Sequence, residues 1–290
     1  MTRSASSRPF ARLASRLAAP LLIGLLAASI AAPATASAAD LTISQAEQLM
    51  VDLLNANRKA AGLVPVRVDT RLMEIARARS TDMAKKHYFS HSQPDGRNVF
   101  DILNAKHITW YGAGEIIAWN NYPTLELSTH NADSQWMNSP GHKAIVLSST
   151  LNYVGVGLAI DTSNGKKMWT AVYIKGPDRT GAVSTTNKPV VTAGPTAASK
   201  KVSVSWTGAD VKLQVLTSGF HSWAVERRTD GGAWTRMWTG TTLGSLALNL
   251  PAGHKYEFRT AARDKAGNWG GWSTVTTTLP MPIGAIGTGR

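Results

Sequence analysis

The sequence contains no cysteine among its 290 residues. This absence excludes disulfides, a thiolate nucleophile and a cysteine-linked lipid anchor, so stability has to come from packed apolar cores. The chain is 43% hydrophobic and is longer than a typical single domain. Two domains, each with its own core, are therefore expected.

Long apolar runs are also lacking, apart from a short one near the start. Residues 17–32 are mainly apolar, follow four arginines without an acid, and are shorter than the roughly 20 residues of a membrane-spanning helix. This pattern is typical of a secretory signal peptide, with small residues at Ala36, Ser37 and Ala38 before the cut. We therefore predict a signal peptide over 1–38 and a secreted, extracellular or cell-wall associated protein that is not an integral membrane protein after cleavage.

Several familiar catalytic signatures are missing as well. The chain has neither an H-E-x-x-H zinc motif nor a G-x-S-x-G nucleophile elbow. Gly155 and Gly157 lack the third glycine of a phosphate loop and lie in a strand-like segment. We interpret them as positions where a helix packs closely on a strand.

The net formal charge of +13 is unevenly distributed along the chain. Residues 40–180 carry 15 Lys/Arg and 13 Asp/Glu, whereas residues 181–290 carry 12 and 5. The basic residues are scattered, with Arg227 and Arg228 as the densest pair, which is typical of a solvated face. Nucleic acid is therefore not an expected partner.

Apolar periodicity predicts four helices before the first long strand. A capping box of Ser44 and Glu47 predicts the start of the first helix, and Asp69 predicts the cap of the second. The other two predicted helices lie at 99–105 and 124–138.

A β-hairpin is predicted to follow these helices. Residues 151–160 and 168–174 are rich in β-branched and aromatic side chains and flank a turn at Asn164-Gly165. Helices on both faces of a small antiparallel sheet would bury such nearly continuous apolar strands.

The composition of the chain changes after residue 178 and again after residue 200. Residues 179–200 are rich in Thr, Pro, Gly, Ala and Ser without periodicity, which predicts a linker. Short alternating segments over 201–280 predict an all-β sandwich, followed by a C-terminal tail over 281–290.

Three ordered motifs carry a resemblance to a known family. They are HYFSHSQPDGRNVFDIL (87–103), GAGEIIAWNN (112–121) and WMNSPGHKAIVLSSTLNYVGVG (136–157). With these motifs, the first domain resembles the CAP superfamily of cysteine-rich secretory, antigen 5 and pathogenesis-related-1 proteins, or SCP domain, in its cysteine-free bacterial form. The resemblance implies an α+β fold, an α-β-α sandwich with a small antiparallel sheet, over 39–178.

The second domain is similar to fibronectin type III. Trp206 lies on an early strand, and Tyr256 follows LPAGHK at the position of the tyrosine that ties a corner of such a sandwich. The segment RDKAGNWGGWS resembles its last hairpin. This resemblance implies a spacer or docking module and no particular chemistry.

In the CAP family a cleft is lined by two histidines and two acids. The motifs imply His91, Glu115 and His142 as three of these cleft residues, while Ser139 stands where the second acid is expected. Two imidazoles and a carboxylate suit zinc or another divalent cation, so the resemblance implies a metal site at the three matching residues. The missing acid disfavours a mechanism that needs paired carboxylates.

Other interpretations of the cleft stay open. His142 and Glu115 can hydrogen-bond to each other and serve structure alone. Ser139 can act as a nucleophile with these two residues, although its place at a helix end favours helix capping. Glu126 or Asp133 of the preceding helix can replace the missing acid.

Two tryptophans are candidate ligand contacts. Trp110 and Trp119 fall in predicted loops on either side of Glu115, where an indole ring can stack on a sugar or contact an acyl chain. Together these features favour a non-enzymatic binding protein whose partner is an envelope lipid, a glycan or a protein. The alternatives are a metal-dependent hydrolase that uses the same cleft and an adhesive spacer that acts through the basic β-sandwich.

Overall fold

Residues 40–242 and 244–281 are described by a computed structural model of the chain, and these described residues belong to one compact unit. The predicted signal peptide over 1–38 and residues 282–290 of the predicted tail lie outside the described residues. None of the described helices is long and apolar enough to cross a membrane.

The first domain is built around one four-stranded sheet with strand order β1-β3-β4-β2. β1 runs parallel to β3, and the other neighbours are antiparallel. Its elements in chain order are α1 (Ile43–Ala60), β1 (Arg67–Val68), α2 (Thr70–Lys86), α3 (Val99–Ala105), β2 (Gly112–Asn120), α4 (Leu125–Asn138), α5 (Pro140–Val146), β3 (Tyr153–Ile160) and β4 (Lys167–Lys175).

Helices cover both faces of this sheet. On one face α1, α4 and α5 pack around a core that contains Trp136 and Trp169, and on the other α2 and α3 pack around Leu72 and Leu103. Along β4 alternate side chains enter the two cores, which explains why residues 168–174 are almost continuously apolar. The predicted α-β-α sandwich is confirmed.

Close packing of α2 on β3 depends on two glycines. A Cβ atom at Gly155 would lie 2.1 Å from the carbonyl carbon of Leu72, and one at Gly157 would lie 2.1 Å from the amide nitrogen of Arg77. Neither position can hold a side chain unless the helix backbone moves. The interpretation of these glycines as helix-packing positions is confirmed.

The second domain is a sandwich of two antiparallel sheets. One has the order β10-β7-β5 with β6 also paired to β7, and the other has the order β12-β11-β8-β9. The Tyr256 hydroxyl donates to the Pro251 carbonyl at 3.0 Å, a corner tie of the kind that the resemblance implies. The strands are β5 (Val183–Thr186), β6 (Val190–Ala193), β7 (Ser199–Ala209), β8 (Phe220–Thr229), β9 (Thr235–Gly240), β10 (Ser245–Pro251), β11 (Lys255–Asp264) and β12 (Ser273–Thr278).

The structure corrects the predicted linker over 179–200. Its residues 183–186 and 190–193 are strands paired to β7, so the prediction of an unstructured connector is wrong for them. These strands are only four residues long and are separated by Pro189, so no periodicity reveals them. These two segments form strands because they pair with β7, which lies later in the chain.

The predicted first helix cap is also wrong. α1 is capped by Thr42, whose hydroxyl accepts from the Gln45 amide at 3.3 Å while the Gln45 side chain accepts from the Thr42 amide at 2.8 Å. Glu47 cannot cap the helix because it is buried and accepts a hydrogen bond from Arg77 at 2.6 Å. The capping box therefore starts two residues before Ser44.

The two domains contact each other through the loop between β7 and β8. Leu213 of this loop joins the apolar cluster of α2 and α3 in the first domain. The Val64 amide donates to Gln214 Oε1 at 2.8 Å, and Asn152 Nδ2 donates to the Val215 carbonyl at 3.2 Å. The sandwich is therefore anchored to the first domain by side chains as well as by the chain connection.

Candidate functional site

Two of the three predicted cleft residues are in direct contact. His91 lies in the segment that follows α2, and Glu115 lies on β2. The His91 ring donates from Nδ1 to Glu115 Oε2 at 2.8 Å. Although 24 residues separate them in sequence, the fold brings this imidazole and carboxylate together as the motif match implied.

A buried ion pair between Arg79 of α2 and Glu115 underlies this contact. Arg79 Nε donates to Glu115 Oε1 at 2.8 Å, and the two residues are only 1% and 6% exposed. Burial lowers the pKa of Arg79, but the hydrogen bond and charge of Glu115 outweigh it, so that pKa lies above its usual value. The charge of the cleft carboxylate is thus balanced from inside the protein.

The same guanidinium organises the segment that carries His91. Arg79 Nη2 donates to the carbonyl of Ser90 at 2.8 Å and to that of His91 at 3.1 Å. Arg79 Nη1 donates to the hydroxyl of Tyr88 at 2.7 Å. One buried side chain therefore positions both Glu115 and the backbone beneath His91.

A polar chain continues from Tyr88 to the surface. The Tyr88 hydroxyl donates to Asp82 at 2.6 Å, and Lys86 pairs with the same carboxylate at 2.7 Å. Burial, followed by the hydrogen bond to Asp82, raises the pKa of Tyr88 to about 12. Burial alone would raise the pKa of Asp82, but its hydrogen-bond donors prevail and lower it to about 2. At neutral pH the network holds a neutral phenol and a charged carboxylate.

His142 lies in the first turn of α5 and differs from His91. Its Nδ1 atom is buried and has no hydrogen-bond partner among the described residues. Burial, followed by the charge of His91, lowers the pKa of His142. Burial therefore favours the neutral form of His142, and the described contacts do not include the hydrogen bond between His142 and Glu115 that the structural interpretation offered. Among the described residues, His91, Glu115 and His142 also do not bring three ligand atoms within 4.8 Å of one another, so the predicted three-residue metal site is not assembled.

Ser139 occupies the N-cap position of α5, but its hydroxyl makes no capping hydrogen bond. The expectation of a side-chain cap is therefore wrong. Only the Ser139 carbonyl contributes to the start of α5, by accepting a hydrogen bond from the Lys143 amide at 2.8 Å.

Asp133, a candidate for the missing acid, accepts a hydrogen bond from Asn57 of α1 at 2.8 Å. Among the described contacts, it does not replace the missing acid.

An open cavity of about 280 Å³ adjoins the histidine–glutamate pair. Its polar lining comes from His91, Glu115 and Asn98 at the start of α3. Its apolar lining is supplied by Val99, Phe100, Ala113, Gly114 and Ile145. The cleft is thus an apolar surface with a polar end.

The two candidate tryptophans occupy different places. Trp110 packs near Phe100 of the cleft, with ring centroids 5.9 Å apart. Trp119 lines a separate cavity of about 120 Å³, where the Lys166 ammonium lies 4.4 Å from its ring centroid. Of the predicted pair, only Trp110 is positioned to influence a ligand in the cleft.

A group of acids lies outside this cleft. Carboxylate oxygens of Asp178, Asp210 and Asp264 lie within 4.8 Å of one another. No Lys, Arg or His of the described residues forms a salt bridge with any of the three. Such a cluster concentrates cations, so any metal titration of this protein needs a control for it.

Comparison with known proteins identifies the first domain. Residues 51–173 match the family model described as "CAP: Cysteine-rich secretory protein family". This segment is a CAP domain. The four-stranded sheet with helices on both faces belongs to this CAP domain. The C-terminal β-sandwich is compatible with a fibronectin type III-like domain.

The chain is similar to two proteins of Bacillus subtilis (strain 168). It is 35% identical to "Uncharacterized protein YkwD" over 149 residues, or 49% of this chain and 54% of YkwD. It is 32% identical to "Uncharacterized membrane protein YlbC" over 129 residues, or 44% of this chain and 34% of YlbC. The chain thus spans about half of one relative and a third of the other.

Among solved structures, the chain resembles an extracellular protein containing a SCP domain from Bacillus anthracis str. Ames. The two are 28% identical with a TM-score of 0.40, over 47% of this chain and 45% of the other.

Sequence reasoning missed Arg79, although one signal was present. Arg79 continues the buried helical spacing of Leu72, Ile75 and Ala76 on α2. A charged residue on such a face needs a buried partner of opposite charge. Glu115, the acid of the family motif, is that partner.

We expect Arg79→Leu to destabilise the protein by about 3–5 kcal/mol, because it leaves Glu115 as an uncompensated buried charge. The double variant Arg79→Leu/Glu115→Leu should cost less than the sum of the two single variants, since it removes both charges. Chemical denaturation of the four proteins measures this coupling.

The exposed Arg97–Asp95 pair is the matched control, and Arg97→Leu should leave the melting temperature unchanged. Additive effects of the Arg79 and Glu115 substitutions would contradict the assigned ion pair.

Proposed function

We propose that this protein is a secreted CAP-domain protein that binds an amphiphilic lipid of the cell envelope without catalysing a reaction. The observation that carries the proposal is the engagement of both Glu115 oxygens, by Arg79 and by His91. A carboxylate that acts as a general base needs a free oxygen to receive the proton, whereas both oxygens of Glu115 are engaged. Ser139 stands where the second acid of a carboxylate pair is expected, which disfavours a mechanism that needs two carboxylates.

The composition of the cleft supports an amphiphile as the ligand. Phe100 lines the cavity and is 38% exposed, so apolar surface continues from the cavity towards solvent. His91 and Asn98 offer hydrogen bonds at the polar end. A lipid combines these two requirements, whereas a glycan needs more polar groups than the lining provides.

Secretion is supported by the sequence, because residues 1–38 have the composition of a signal peptide. An extracellular or cell-wall location would place the cleft where envelope lipids occur.

Binding of monodecanoylglycerol, a neutral amphiphile, tests the proposed lipid site. We expect Phe100→Ser to weaken binding about tenfold or more, because a buried phenylalanine contributes about 1.5–3 kcal/mol. Calorimetric titration below the micelle concentration measures the affinity.

Phe89→Ser is the matched control, since Phe89 is 45% exposed and lines the separate cavity beside Trp119. Equal weakening by both substitutions, or no binding to the unaltered protein, would remove the lipid proposal. Retention on peptidoglycan in its place would favour a glycan.

We also propose that the two cleft histidines bind a divalent cation, without a third ligand from Glu115. His91 donates from Nδ1 to Glu115, an arrangement that leaves Nε2 of a neutral ring with its lone pair. His142 has a lowered pKa and a buried Nδ1 without a partner among the described residues. His91 and His142 would hold the cation, with Glu115 orienting His91; a bound zinc ion supplies Lewis acidity there.

We expect zinc to bind the unaltered protein and binding to be lost in His91→Ala/His142→Ala. Affinity should be lower at pH 5.5 than at pH 7.5, because protons compete with the metal for imidazole nitrogen. Glu115→Gln should weaken zinc binding about 10–100-fold by releasing the orientation of His91. Calorimetric titration at pH 7.5 and pH 5.5 measures each effect.

Asp264→Asn controls for the acid cluster outside the cleft. If zinc binding disappears in this variant and survives in the histidine double variant, the cation belongs to the cluster, and the proposed histidine site is wrong.

Contacts in the second domain bear on the spacer alternative. Arg259 lies between Trp234 and Trp272, with its Cζ 4.1 Å and 4.2 Å from their ring centroids, and it pairs with Glu226. Part of the basic excess is thus paired with groups of the same domain, which disfavours this domain as the principal binding surface.

The hydrolase alternative would require a free base, which Glu115, engaged at both oxygens, does not provide.

A further inference from the structure

A second cavity, of about 430 Å³, lies where α2 begins beside β3. It shares no lining residue with the histidine–glutamate cleft. Three of its lining residues are arginines: Arg67 from β1, Arg71 from α2, and Arg179 from the segment between β4 and β5. Positively charged side chains from three distant parts of the chain therefore line one cavity.

Asp69 is the acid that partly balances these arginines. Its carboxylate caps α2 and accepts hydrogen bonds from Arg71, with Nε at 3.0 Å, and from Arg179, with Nη1 at 3.4 Å. Asp69 is 9% exposed, so it lies behind the guanidinium groups and not at the cavity mouth. One carboxylate against three guanidinium groups leaves an excess of two positive charges among these lining residues.

The arginines retain donors for a ligand. The side chain of Arg67 is exposed and has no hydrogen bond or salt bridge to the described residues, so its donors face solvent. Arg71 and Arg179 are 39% and 30% exposed in their side chains while held by Asp69. These two guanidinium groups are thus oriented before a ligand arrives, which reduces the entropy lost on binding.

Tyr153 fixes the backbone on the far side of the cavity. Its hydroxyl oxygen accepts from the Arg179 amide at 2.8 Å and lies 3.1 Å from Thr180 Oγ1. The segment between the domains is therefore held against β3. The positive end of the α2 dipole, at Thr70, adds to the field of the three arginines.

We propose that this cavity binds a phosphate group. Guanidinium groups that converge from separate elements match the several oxygens of a tetrahedral phosphate, and each forms charge-assisted hydrogen bonds. The cavity is larger than a phosphate ion alone requires, which suits a phosphate carried on an organic group. A phosphorylated envelope metabolite and a phospholipid headgroup present this same chemistry.

Phosphorus NMR titration with glycerol 3-phosphate tests the site, with glycerol as the phosphate-free reference. A sedimentation assay with phosphatidylglycerol vesicles, compared with phosphatidylcholine vesicles, tests the headgroup. Arg67→Ala should weaken binding about tenfold or more, as expected for the loss of a charge-assisted contact. Because the Arg67 side chain is exposed, the melting temperature should not change.

Lys201→Ala, on an exposed position of β7, makes the same charge change elsewhere and should bind like the unaltered protein. Arg67-dependent binding of glycerol 3-phosphate supports a soluble phosphorylated ligand, and Arg67-dependent binding to the anionic vesicles alone supports a headgroup. Absence of both, or equal weakening by Lys201→Ala, would overturn the proposed site.

Discussion

Arg79 and Glu115 place two opposite charges inside the interface between α2 and the sheet. Taking such charges out of water costs several kcal/mol for each ion, and close geometry with additional hydrogen bonds is needed to offset the cost. Arg79 meets this need by donating to Glu115, to the Tyr88 hydroxyl and to the carbonyls of Ser90 and His91. This arrangement of hydrogen bonds therefore joins α2, Glu115 and the segment that carries His91.

This arrangement determines what the cleft can do. Glu115 serves as an internal anion that orients His91, and the burial of His142 keeps its imidazole neutral. The apolar lining begins next to these groups at Ala113 and Ile145. Oriented imidazoles beside an apolar cavity favour capture of a ligand, and Glu115, engaged at both oxygens, disfavours a mechanism that needs paired carboxylates.

The sequence was most informative where the evidence was local or carried by a motif. The helix over 99–105 was predicted from apolar periodicity, and the contact of His91 with Glu115 follows from matched motifs. The spacing of Arg79 on α2 indicates a buried charge, but its partner was missed because it lies 36 residues away and no local pattern identifies it. The strands at 183–186 and 190–193 were missed for a related reason, because strand pairing with a later segment orders them.

The central claim is that Glu115 acts by holding His91 in one orientation. Long-range nitrogen NMR of the imidazole rings at pH 7.5 tests it directly, since it distinguishes the two tautomers of a neutral histidine. We predict that His91 carries its proton on Nδ1 with Nε2 unprotonated, as donation to Glu115 requires. A His91 ring protonated on Nε2 alone would contradict this account, because that tautomer cannot donate to the carboxylate.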